Sequence, residues 1–166
     1  MNDPGNICLK CGLCCDGSLI GFVEIEPEEV NQLKEILDIE KSIDGGIFLQ
    51  PCSKYCVGCS IYSQRPKQCA SFKCGLLESL EKKEIQFDMA IQTIQEIKDI
   101  KESIKQSLTL LKIDLQSKSF YFKMIELEKK LKSTSVQLEG SSTNQNLLFE
   151  IYNLEKLLKA KMDIPQ

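Results

Sequence analysis

The sequence predicts an α+β fold that is mostly α: a small cysteine-rich domain of short strands and one helix, then a helical hairpin or three-helix extension. Two observations carry this. All nine cysteines of the 166-residue chain lie before residue 75, and beyond it apolar residues recur at steps of three and four in long stripes. Such steps are the signature of helices that bury one face. The expected division is residues 1–80 for the cysteine-rich domain and 81–166 for the helical extension. A chain of this length can bury a real core without relying on cross-links.

In order along the chain, Leu19 to Ile25 is rich in β-formers and predicts a short strand. Pro27 suits a first helical position, and Glu28 and Glu29 behind it suit the positive end of a helix dipole. Val30, Leu33, Ile36 and Leu37 give that helix an apolar face, and Asp44-Gly45-Gly46 predicts a turn into Ile47–Leu49. Leu76–Leu80 predicts a short helix. Phe87, Ile91, Ile94, Ile97, Ile104, Leu108 and Leu111 mark one face of a long helix, and Phe120, Met124, Leu127 and Leu131 mark a second. Ser133 to Asn146 reads as a polar linker with Thr143 as a candidate N-cap, and Leu147, Ile151, Leu154 and Leu158 form a third stripe. These stripes either pack on one another or present a coiled-coil surface to a protein partner.

Composition removes several classes of function. The formal net charge of −3 argues against a nucleic-acid binder. The chain has no histidine and a single arginine, Arg65, which excludes Ser-His or Cys-His hydrolysis and any mixed cysteine–histidine zinc site. No catalytic constellation is visible. No apolar run approaches a membrane span, so no membrane partner is expected. The start, Met-Asn-Asp-Pro-Gly-Asn, has neither a basic n-region nor an apolar h-region, which points to the cytosol. There thiols stay reduced, and dense cysteine means metal or redox chemistry more often than disulfides.

The cysteines fall into two clusters. Cys8-Leu-Lys-Cys11-Gly-Leu-Cys14-Cys15 holds two overlapping C-x-x-C pairs, a spacing that lets two thiolates reach one metal from a tight turn. Gly12 permits the positive φ of such a turn and would leave N–H groups pointing at sulfur. Cys8, Cys11 and Cys14 also match the three-cysteine run of bacterial ferredoxins, without its closing Cys-Pro. Cys14 and Cys15 are adjacent, and neighbouring side chains diverge, so they are expected to serve two metals, to bridge, or to leave one thiol free. The second cluster is Cys52, Cys56, Cys59, Cys69 and Cys74, with Pro66 fixing a loop that presents Cys69. Between Asp44 and Glu78 there is no acidic residue, while Lys54, Arg65, Lys67 and Lys73 occur there. That surround suits a negatively charged thiolate centre better than the rival reading of a basic patch for phosphate or nucleic acid, since bound thiolates leave the stretch close to neutral.

Together these residues resemble the cysteine-cluster family of zinc- or iron-chelating proteins, the CxxCxxCC or YkgJ-type domain. The resemblance covers roughly residues 8–80. It runs through Cys8-x-x-Cys11-Gly12-x-Cys14-Cys15, Gly17, the Leu19–Ile25 segment, Pro27-Glu28-Glu29, Pro51-Cys52, Cys59-x-Ile61-Tyr62-x-x-Arg65-Pro66-x-x-Cys69 and Cys74. The family's usual eight cysteines map onto Cys8, Cys11, Cys14, Cys15, Cys52, Cys59, Cys69 and Cys74, which leaves Cys56 as a possible extra ligand. The family often has an arginine where this chain has Ala70. The resemblance implies chelation of zinc or iron, often as an iron–sulfur cluster. It does not bring the lysine methylation of related flagellin-modifying enzymes, because no methyl-donor site is recognisable.

The function expected is metal binding through thiolates of both clusters. The alternatives are an iron–sulfur oxidoreductase or electron carrier, a metal-free thiol switch using Cys14/Cys15 or Cys56/Cys59, and a metal-delivery protein docking through its helices.

Overall fold

The computed structural model describes residues 7–133 and 142–163, and helices dominate it, accompanied by one small sheet. The α+β, mostly α class read from the sequence is the class the chain adopts. Two compact units emerge. One comprises residues 8–73 and 117–125; the other takes in residues 74–116 and the described residues from 126 onward, with Ile7.

In the cysteine-rich unit, a one-turn helix α1 (Ile7–Cys11) leads to strand β1 (Phe22–Ile25). Pro27 then opens α2 (Pro27–Leu33), where its fixed φ and missing N–H cost nothing. Strands β2 (Glu40–Ser42) and β3 (Gly45–Leu49) complete an antiparallel sheet of order β1-β3-β2. Phe22 pairs with Leu49 and Glu40 with Ile47. Side chains alternate across β1, so Val23 and Ile25 are buried while Phe22 and Glu24 face outward. Val30 and Leu33 of α2 close over them with Phe48; Leu37 joins this core and Ile36 packs against it, but both lie beyond the end of α2, which is shorter than the apolar stripe predicts. Each such burial contributes about 1.5–3 kcal/mol. A 3₁₀ turn (Tyr62–Gln64) and a one-turn helix α3 (Lys67–Ser71) follow, with α3 against β1. Residues 117–125 join this unit through the Tyr121 N–H, which donates to the Gly17 carbonyl at 2.7 Å, and through Phe122, whose ring stacks on Phe22 at 6.5 Å.

The helical unit holds α4 (Gly75–Glu81), α5 (Phe87–Leu110) and α7 (Ser142–Met162); α6 (Phe120–Ser133) begins in the first unit and ends in this one. The predicted stripe of α5 is buried at Phe87, Ile94, Ile97, Ile104 and Leu108, with Ala90, Lys101 and Ser107 filling the intervening positions. Its main partner is α7, which contributes Leu147 and Leu154, so the hairpin pairs the first and third stripes. The Ser103 hydroxyl donates to Glu150 across that pair at 3.2 Å. Gly75 lets the start of α4 approach the end of α7, where a Cβ would stand 2.9 Å from that of Asp163. The expected linker is shorter than its polar composition suggests. Ser133 belongs to α6 and α7 already begins at Ser142, which puts Thr143 inside the helix rather than at its cap. The rest of that linker, residues 134–141, lies outside the described residues. No helix of the described residues is long and apolar enough to cross a membrane.

Candidate metal centre

The first cysteine segment is built around a helix end. Cys8 and Cys11 lie on α1, Cys8 exposed and Cys11 buried. Gly12 then turns the chain with φ +70°, and its N–H donates to the Cys8 carbonyl at 3.2 Å. This is the left-handed residue that commonly terminates a helix. The Gly12 N–H itself thus satisfies an orphan carbonyl of α1 rather than a sulfur. Leu13 is fully buried, and its carbonyl accepts from the N–H groups of Ser18 and Leu19 at 2.9 and 3.0 Å. Cys14 and Cys15 are half-buried in the turn so anchored.

The second segment is tied to the first through backbone. The Cys52 N–H donates to the Cys15 carbonyl at 2.8 Å. From there the chain forms a small closed loop. The Tyr55 N–H donates to the Cys52 carbonyl at 3.0 Å, Tyr55 bridges Cys59, and the Ser60 N–H returns to the Lys54 carbonyl at 2.9 Å. At its tip Cys56 and Val57 are exposed, whereas Cys59 is half-buried. Cys69 sits on α3 rather than on a loop, because the extended Pro66 before it starts a helical turn. Cys52 and Cys69 pack against the apolar core.

These placements gather four thiols from both clusters. Burial pushes the Cys15 thiol up to about 12, and Cys59, Cys52, Cys69 and Asp16 add to the effect. Cys69 is likewise pushed up to about 12 by burial, then by Cys52 and Cys59, with Arg65 opposing and Glu29 reinforcing. Burial also raises Cys52, and Cys59 adds to it. Cys15, Cys52, Cys59 and Cys69 are thus near enough that the charge of one penalises the next. None of the nine cysteines forms a disulfide. As the side chains stand, no three thiol or carboxylate groups among the described residues take up a metal-ligating arrangement. No family model, curated protein or solved structure matches this chain. Cys74, half-buried, immediately precedes α4 and belongs to the helical unit.

The surround differs from the one read off the sequence. The stretch from Asp44 to Glu78 lacks acids, but folding brings acids from α2 to it. Lys67 bonds the carboxylates of Glu26 and Glu28, and its backbone N–H donates to Glu29 Oε1 at 2.8 Å. The hydrogen bond from Lys67 holds Glu28 down to about 2. Lys67 is therefore committed to α2. Arg65 lies 4.0 Å over the Tyr62 ring, close enough to Cys69 to ease its ionisation. Tyr55 was not singled out by the sequence. Its phenol ring covers Gly12 so closely that a Cβ there would overlap the hydroxyl, and burial raises its pKa, with Asp16, Cys15, Cys11 and Cys56 adding. The donor chemistry of the group fits a thiophilic divalent cation. Once ionised, these sulfurs repel one another, and a buried carboxylate oxygen, Glu29 Oε2, has no hydrogen-bond partner.

Proposed function

We propose that the chain is a cytoplasmic metal-binding protein that holds zinc or iron through cysteine thiolates. Cys15, Cys52, Cys59 and Cys69 are the central ligands, and Cys8, Cys11, Cys14 and Cys74 complete the eight-cysteine set of the CxxCxxCC, YkgJ-type family it resembles. The observation that carries this reading is the grouping of four thiols from two distant stretches of sequence at a half-buried place, where burial and then the charges of neighbouring cysteines raise the pKa values of Cys15, Cys52 and Cys69. Without a cation such a group is electrostatically unfavourable once ionised. With one, coordinating thiols are deprotonated outright. Binding draws the four sulfurs together, and a structural zinc site supplies about 10–16 kcal/mol of apparent free energy at neutral pH for this.

Metal analysis and a visible spectrum of protein purified without oxygen test the proposal. Stoichiometric zinc in colourless protein supports a structural thiolate site. A broad brown band with acid-labile sulfide supports the iron–sulfur form and brings the oxidoreductase reading forward. Protein that carries no metal, takes none up and titrates as nine free thiols refutes it.

A further inference from the structure

We propose that residues 117–125 form a strap that positions Cys15 against Cys52, so that Ser119 and Phe122, which carry no sulfur, set how readily those two thiols are exposed. Both cysteines are central ligands in the reading above, but the strap is argued from packing alone. The segment follows α5 in sequence yet belongs to the cysteine-rich unit. It lands on two glycines. At Gly17 the Tyr121 N–H donates to the carbonyl at 2.7 Å. Ser119, fully buried, lies so close there that a Cβ on Gly17 would stand 2.7 Å from its own. Gly17 has φ +75°, a backbone that residues with a Cβ rarely adopt. At Gly21 a Cβ would overlap the Phe122 ring, which stacks on Phe22.

Both landing points lead to the thiols. The Gly17 N–H donates to the Cys14 carbonyl at 3.2 Å, so Gly17 closes the turn that carries Cys14 and Cys15. Buried Gln50 is the other neighbour of Gly17, its Cβ 3.2 Å from where a Gly17 Cβ would stand. The Gln50 N–H donates to the Gly21 carbonyl at 2.9 Å, and two residues further on the Cys52 N–H donates to the Cys15 carbonyl at 2.8 Å. Ser119, Gly17 and Gln50 thus meet at one buried point beside the juncture of Cys15 and Cys52. A close-packed interior passes a displacement at such a point to its neighbours instead of absorbing it. When the strap lifts, the turn of Cys15 and the stretch into Cys52 lose the packing behind them. Cys59 belongs to the loop that returns from Cys52, and Cys69 to α3.

The test uses the full reduced chain without metal and reads the alkylation rate of each cysteine by mass spectrometry, as the ratio of variant to wild type at one pH. Phe122→Ala removes the stacked ring, and Cys15 and Cys52 are expected to label about 10-fold faster while Cys56, Cys59 and Cys69 keep their wild-type rates. Gly21→Ala displaces the ring from the opposite side and should give the same pattern. Phe122→Tyr keeps a ring and should keep wild-type rates throughout. A purely structural role would speed Cys15, Cys52, Cys59 and Cys69 alike, and that result overturns the inference, as does no change at all. If both alanine variants fail to fold by circular dichroism, amide hydrogen exchange of the wild type decides. The Cys52 N–H is then expected to be at least as protected as that of Tyr121, because the juncture opens only after the strap; faster exchange at Cys52 overturns the inference. These readouts need no metal, so a chain that binds none refutes the metal-binding reading and leaves the strap standing.

Discussion

Replacing Gly12 with alanine is expected to destabilise the cysteine-rich unit by about 2–5 kcal/mol, a sum of two separable parts. The left-handed backbone at φ +70° costs a residue with a Cβ about 1–2 kcal/mol. The new methyl also overlaps the Tyr55 phenol, and relieving such overpacking costs about 1–3 kcal/mol. The second part vanishes when Tyr55 is removed. In a Tyr55→Ala background the same Gly12→Ala change should therefore cost only about 1–2 kcal/mol. Urea unfolding of metal-free protein measures both values. The chain has four tyrosines and no tryptophan, so tyrosine fluorescence is an unobscured probe. An equal cost in the two backgrounds would refute the packing of Tyr55 on Gly12. A cost near zero in both would refute the left-handed turn as well.

Three further outcomes follow from the same geometry. Cys15 and Cys69 bind their protons more tightly folded, at about 12, than at their ordinary value of 9.0. The metal-free protein should keep this contribution below about pH 9 and lose stability as pH climbs towards 12, with a flatter slope when both are replaced by alanine; urea midpoints against pH check it. Cys59→Ser should abolish most metal uptake, whereas Cys56→Ser, at the exposed loop tip, should leave metal content near that of the wild type. Ile104→Ala, fully buried in α5, should cost about 2–5 kcal/mol of helical-unit stability by far-UV circular dichroism, and a loss under about 1 kcal/mol would contradict the observed packing.

What the sequence made legible was local. Pro27 with its acidic followers marks the start of α2, and Phe87 to Leu108 marks α5, because capping and helical period act over a few residues. Lys101 and Ser107 escaped that reading: they are polar by type yet buried by position, the lysine through its long apolar stem. The four-thiol group was legible only as two lists of cysteines, since which of them meet depends on the Cys52–Cys15 backbone hydrogen bond. The acid-free surround misled because linear composition says nothing about α2 lying beside α3, where Glu26, Glu28 and Glu29 reach Lys67. Nor does any spacing rule mark Tyr55 as the cover of Gly12, or join residues 117–125 to the cysteine-rich unit through Tyr121 and Phe122. Those are contacts between segments far apart in sequence.

The most direct test of the central claim is cysteine-by-cysteine alkylation, read by mass spectrometry, on metal-loaded protein and on the same protein after chelation at one pH. The account predicts that Cys15, Cys52, Cys59 and Cys69 are protected when loaded and label faster on chelation, with Cys15 and Cys69 remaining slow because burial keeps their thiols protonated, while Cys56 at the exposed loop tip reacts in both states. Equal labelling of those four with and without metal would contradict it.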